Sequence, residues 1–110
     1  MFVKTATDKN ANSVIKSSGF TLVKMGATWC GPCKALSPTL EKVAEERSGS
    51  MSVYDMDIDD SPTTPQQYRV QGVPTMILFH NGQEVARKVG NVAKNALDTW
   101  LNSELEKVGG

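Results

Sequence analysis

Ala27-Thr28-Trp29-Cys30-Gly31-Pro32-Cys33-Lys34 decides the reading of this chain. Before it runs Phe20 to Ala27, apolar enough for a buried strand. After it, from about Cys33 to Arg47, Leu36, Leu40, Val43 and Ala44 recur at three- and four-residue steps, as one apolar helix face requires. The two cysteines therefore sit where a strand hands over to a helix. The first turn of a helix carries unpaired N–H groups and a partial positive charge, and both favour a thiolate. Cys30 is expected to be that thiolate, exposed at the helix start. Cys33, one turn later, is placed to attack a mixed disulfide formed at Cys30. A zinc site needs four ligands, and two cysteines with a distant His80 supply too few. Inert thiols are the other alternative, and the strand-to-helix setting favours redox chemistry over it.

Working outward, Phe2-Val3-Lys4-Thr5 is a short strand candidate, and Thr7 or Asp8 is placed to cap a helix through about Ser17 with Val14 and Ile15 as anchors. Pro38 interrupts the helix after the cysteines and is expected to kink it. Met51 to Ile58 reads as a strand with Tyr54, Met56 and Ile58 on one face and Val53, Asp55 and Asp57 on the other. A short helix over Pro65 to Tyr68 follows a turn-rich stretch. Asn81-Gly82 between Thr75–His80 and Gln83–Val89 is a strong hairpin signal. Ala93 to Lys107 is an amphipathic helix expected to bury Ala96, Leu97, Trp100, Leu101 and Leu105, leaving residues 108–110 as a frayed tail. The order β-α-β-α-β-α-β-β-α implies an α/β domain over residues 1–107, a mixed sheet with helices on both faces.

The chain has 110 residues, 12 Lys+Arg against 12 Asp+Glu, two Cys, one His and 39% hydrophobic residues. That length fits one domain with a sizeable core. A zero net charge argues against general nucleic-acid binding, which needs surplus cations to neutralise phosphates. No apolar stretch approaches the roughly 20 residues of a membrane span, and the amino terminus lacks the apolar core of a secretory signal. A cytoplasmic monomer is the expectation. Met25, Met51, Met56 and Met76 read as core filler, His80 as solvent-facing, and Asp57, Asp59 and Asp60 as only superficially calcium-like.

The W-C-G-P-C segment resembles the active-site motif of the thioredoxins. Pro38, Asp57-Ile58-Asp59, Gly72-Val73-Pro74-Thr75, Phe79-His80-Asn81-Gly82 and Lys88-Val89-Gly90 match in register over essentially the whole chain. The resemblance implies the thioredoxin fold, a central mixed sheet of about five strands flanked by four helices, and reduction of protein disulfides without a bound cofactor. It implies recycling by an NADPH-dependent thioredoxin reductase. It also implies a cis peptide bond at Pro74 and a substrate platform of Trp29, Gly31, Pro32, Gly72, Val73, Pro74, Val89 and Gly90. The Gly31-Pro32 pair resembles that of reductases rather than oxidases or isomerases.

Three positions depart from the pattern. Lys24 stands where the family has an inward-facing aspartate, and Asp55 replaces its partner lysine, so the pair looks charge-swapped. Lys24 then either stabilises the Cys33 thiolate as a cation, accepts the Cys33 proton as a desolvated amine, or leaves proton transfer to Asp55 through water. The bland alternative is a buried ion pair with no part in catalysis. Met25-Gly26 replaces two aromatics, so Gly26 is expected to leave a space beside Trp29 or loosen the strand end. Asn91 makes the platform slightly more polar. A binding module that uses this surface without redox turnover is the competing function.

Overall fold

The computed structural model describes residues 1–109. Its elements are β1 (Lys4–Thr5), α1 (Ala11–Ile15), β2 (Phe20–Gly26), α2 (Gly31–Glu46), β3 (Met51–Asp57), α3 (Thr63–Gln67), β4 (Thr75–His80), β5 (Gln83–Val89) and α4 (Lys94–Gly109). The strands form one sheet in the order β1-β3-β2-β4-β5. β3 runs parallel to β1 and β2, whereas β4 is antiparallel to both β2 and β5. This is the mixed sheet with four helices that the element order predicts.

Alternation along the strands sends side chains into two cores. On one face Leu22, Val53, Met76 and Leu78 pack with Leu36, Leu40 and Val43 of α2 and Leu97 and Leu101 of α4. On the other, Val23, Met25, Met56, Ile77 and Phe79 pack with Ala11, Val14 and Ile15 of α1 and with Tyr68 and Val70 beyond α3. The four methionines expected as filler are buried. β2 is buried along almost its whole length, as the central strand of such a sheet must be. Asn81 and Gly82 have φ of 50° and 90°, the left-handed pair that a two-residue hairpin turn demands.

Several local expectations are corrected. Helix α1 starts after Asn10, whose side chain accepts the Thr7 N–H at 2.7 Å, so neither Thr7 nor Asp8 caps it. Asp8 reaches instead to α3, accepting the Thr63 and Thr64 N–H groups at 3.1 and 2.9 Å and the Thr64 hydroxyl at 2.8 Å. α2 begins two residues earlier than periodicity suggests and runs through Pro38, which costs it one backbone donor without ending it. Ala96 is exposed, because the buried stripe of α4 is centred on Leu97 and Leu101 with Trp100 and Leu105 half-buried. His80 is half-buried against Phe20, ring centroids 4.4 Å apart. Of the expected tail, Val108 and Gly109 continue α4, and Gly110 lies outside the described residues.

Partial burial opposes the Asp8 charge, but the N–H and hydroxyl donors of Thr64 and Thr63 outweigh it and hold the carboxyl below its ordinary value of 3.8. A lowered carboxyl contributes stability that is present above the unfolded value and lost as pH falls through the folded one. Asp8→Ala is therefore expected to lower the melting temperature at pH 7, with the gap to wild type closing below about pH 4. Thermal melts of both proteins across that range check it; a pH-independent gap would contradict the clamp.

Candidate active site

The site forms where β2 ends and α2 begins. Cys30 is the N-cap of α2, with extended backbone (φ −94°, ψ 111°), and its Sγ accepts the Cys33 N–H at 3.2 Å. A sulfur thus occupies the position where serine or aspartate usually satisfies the free donors of a helix start. Gly31 and Pro32 fill the first turn, where the missing proline N–H costs no helical bond. Cys30 and Cys33 are joined as a disulfide, with Cα atoms 5.2 Å apart. Ala27, Ile58 and Val73 pack around them. Cys30 is only 5% exposed, so the exposed cysteine expected from sequence is corrected. Its sulfur is folded under the helix start and toward the Val73 carbonyl at 3.7 Å rather than outward.

The Val73–Pro74 peptide is cis, as the resemblance implies. Around it the Thr75 hydroxyl donates to the Gly72 carbonyl at 2.6 Å, and the Gly90 N–H to the Pro74 carbonyl at 2.8 Å. Gly90 has a φ of +95°, which side chains rarely adopt. Val89 Cγ1 lies 3.9 Å from where a Cβ on residue 72 would stand, so those two segments meet. Trp29, Gly31, Pro32, Gly72 and Val89 are exposed, Val73 and Gly90 half-buried and Pro74 buried. Trp29 is 67% exposed, yet its indole N–H donates to Asp59 at 2.7 Å. Asp59 in turn donates its N–H to Asp57 at 2.9 Å. Sequence reasoning missed Asp59 as the support of the indole. The Asp57-Ile58-Asp59 turn was the available signal, since aspartates bond to backbone two residues on. Among the described residues no group of three metal-ligating side chains occurs.

Lys24 is 4% exposed and points toward α2. Its ammonium donates to the Cys33 carbonyl at 3.3 Å and the Ser37 hydroxyl at 3.1 Å, and lies 3.5 Å from Asp55 Oδ1. The pairing is set by register, because residues 24 and 55 are direct neighbours on β2 and β3. The buried ion pair expected from sequence is corrected in one respect. Asp55 keeps 47% of its side chain exposed, although Thr5 of β1 pairs directly beside it. Ser37, one helical turn beyond Cys33, was also missed, although its spacing places it on the same helix face. The space made by Gly26 does not lie beside Trp29. A Cβ there would stand 3.0 Å from Lys24 Cε and 3.1 Å from Cys33 Sγ, so the glycine makes room for the lysine stem beneath Cys33.

A strand-to-helix C-x-x-C, capped by its own first cysteine and facing a cis-proline loop, defines a dithiol–disulfide exchange site. The thioredoxin family model matches residues 2–103. The chain is 43% identical over 98 residues to a thioredoxin of Acidithiobacillus ferridurans, covering 89% of this chain and 91% of that one. It is 36% identical over 104 residues to a thioredoxin of Rickettsia prowazekii, covering 94% and 99%, and 40% identical over 92 residues to one of Pseudomonas aeruginosa, covering 84% and 85%. The chain belongs to the thioredoxin family. It is a thiol–disulfide oxidoreductase with the character of a protein-disulfide reductase, a family that needs no bound cofactor.

Gly26→Ala is expected to destabilise the protein by about 1–3 kcal/mol, because a new methyl group must displace Lys24 Cε or the sulfur. Denaturant titration of the oxidised protein measures it; a neutral or stabilising result would mean that the lysine stem is free to move.

Proposed function

We propose that Cys30 is the nucleophile and Cys33 the resolving thiol of this reductase. The observation that carries the assignment is the N-cap: Cys30 Sγ accepts the Cys33 N–H at the positive end of a 16-residue helix. In the reduced protein the same donor and the helix dipole favour a thiolate at Cys30 over the thiol. That thiolate attacks one sulfur of a substrate disulfide, the other substrate sulfur leaves as a thiolate and is protonated, and a mixed disulfide forms. Cys33 then attacks Cys30 Sγ, releasing the second substrate sulfur and leaving Cys30 and Cys33 oxidised. Two electrons pass to the substrate, and the protons lost by the cysteines balance those gained by its thiols.

Trp29, Gly31, Pro32, Gly72, Val73, Pro74, Val89 and Gly90 serve as the surface on which an extended substrate lies. Apolar exposure at Trp29 and Val89 and an accessible backbone around Gly72 support this. Backbone pairing and apolar contact there give affinity with little side-chain selectivity, which suits a general reductant of disulfide-bearing proteins. A thioredoxin reductase drawing on NADPH restores the dithiol. Residues 1–107 act as one domain, working as a monomer in the cytoplasm. No helix among the described residues is long and apolar enough to cross a membrane.

Reduction of insulin disulfides by dithiothreitol, followed by turbidity, tests the assignment. The wild-type protein is expected to accelerate it, Cys30→Ser to abolish the acceleration, and Cys33→Ser to accumulate a covalent mixed disulfide through Cys30. Rates no faster than dithiothreitol alone with the wild-type protein would favour a binding module instead.

A further inference from the structure

Lys24 is a feature that disulfide exchange at Cys30 does not itself require. An ammonium has three N–H donors, and here three acceptors stand around it: the Cys33 carbonyl, the Ser37 hydroxyl and the Asp55 carboxylate. The Lys24 stem also comes close to the Cys33 sulfur, since Lys24 Cε and Cys33 Sγ both line the empty Cβ position of Gly26, at 3.0 and 3.1 Å.

We propose that Lys24 is a positioning residue that sets the acidity of Cys33 as a fixed cation, with Gly26 as the opening that lets it reach. The proposal rests on the dithiol–disulfide reading above. The groups facing Cys33 across the adjoining cavity of about 240 Å³ are Lys24 from β2, Asp55 and Asp57 from β3, and Lys34 from α2 itself. Asp55 is half-exposed, and Lys34 is exposed and screened by water. Lys24 is the buried member of the set, so its charge is the least screened. When the Cys30–Cys33 bond is reduced, two electrons enter and each sulfur becomes a thiolate or, with a proton, a thiol. A cation beneath Cys33 favours the thiolate there, and the proton leaves to solvent through the open cavity. Cys33 is then ready to attack the mixed disulfide without a dedicated base.

The test is the ultraviolet thiolate absorbance of the Cys30→Ser protein, in which Cys33 is the single cysteine, titrated with pH. It requires no turnover, so it separates failure of this proposal from failure of the reductase assignment, which the insulin assay judges. Lys24→Met is expected to raise the Cys33 midpoint by about one pH unit, a tenfold loss of acidity. Asp55→Asn, at a half-exposed position and with Lys24 still bonded to the Cys33 carbonyl and the Ser37 hydroxyl, is expected to move the midpoint the other way by removing an opposing anion. A midpoint unmoved by Lys24→Met, or unchanged or raised by Asp55→Asn, overturns the proposal. If Lys24→Met does not fold, Lys24→Gln, which keeps a polar head for the Cys33 carbonyl and the Ser37 hydroxyl without the charge, is titrated in its place with the same expected rise. A role confined to stability would change melting temperatures and leave both midpoints in place.

Discussion

The bond from the Cys33 N–H to Cys30 Sγ depends on where β2 stops. That strand pairs with β3 on one edge and β4 on the other, and both of its faces are buried. Its end at Gly26 is therefore fixed from four sides, and the turn through Ala27 to Trp29 brings the chain to the helix start in one orientation. Helix α2 is held in turn by Leu36, Leu40 and Val43 against the sheet and by Arg47, whose guanidinium lies 3.2 Å from Asp98 of α4. A rigid strand and a rigid helix present their junction, and the junction carries the sulfurs. The cis-proline backbone comes from elsewhere in the chain, at the loop before β4, and bonds to the end of β5. It reaches the same spot because β4 lies next to β2.

Position along β2 also explains the lysine. Leu22, Lys24 and Gly26 alternate onto the face that α2 covers, whereas Val23 and Met25 face the opposite core. A charge on that inner face would be costly among apolar neighbours. It is tolerated because the sheet is nearly exhausted at residue 24: the helix start supplies a carbonyl and a hydroxyl, and Asp55 stays open to water. One charge is buried and its partner stays wet, so a single desolvation cost is met by two hydrogen bonds and an ion pair rather than two costs by one ion pair.

Most of the architecture was legible in the chain, for identifiable reasons. Asn81-Gly82 permits little else than a tight hairpin, and the three- and four-residue spacing of Leu36, Leu40, Val43 and Ala44 is decisive for a helix. Lys24 and Asp55 were recognisable as a pair because the thioredoxin resemblance places a charged pair at those two positions. What escaped were relations that local pattern cannot hold. Asp8 stabilises α3 across more than fifty residues of chain, and nothing near Asp8 advertises Thr64. Alternation assigns Asp55 to a face but says nothing of how much of its side chain stays open to water there. The direction of the Cys30 sulfur depends on a Val73 carbonyl that arrives from another loop, and the true neighbours of Gly26 are known only once Lys24 has a rotamer.

The two margins of the sheet carry a further consequence. One edge strand, β1, is two residues long, and the other, β5, carries Glu84, Arg87 and Lys88, with a register irregularity between Leu78 and Phe79 of the strand it pairs with. Arg87 is bound to Glu84 and to the Tyr68 carbonyl, and Lys88 lies over the Trp100 ring at 5.6 Å. Neither margin offers a long, flat, uncharged row of amides for a passing strand to zip onto. If extended substrates dock at the proposed platform, that matters: such margins give a passing unfolded chain little to add itself to, so docking and sheet growth stay separate.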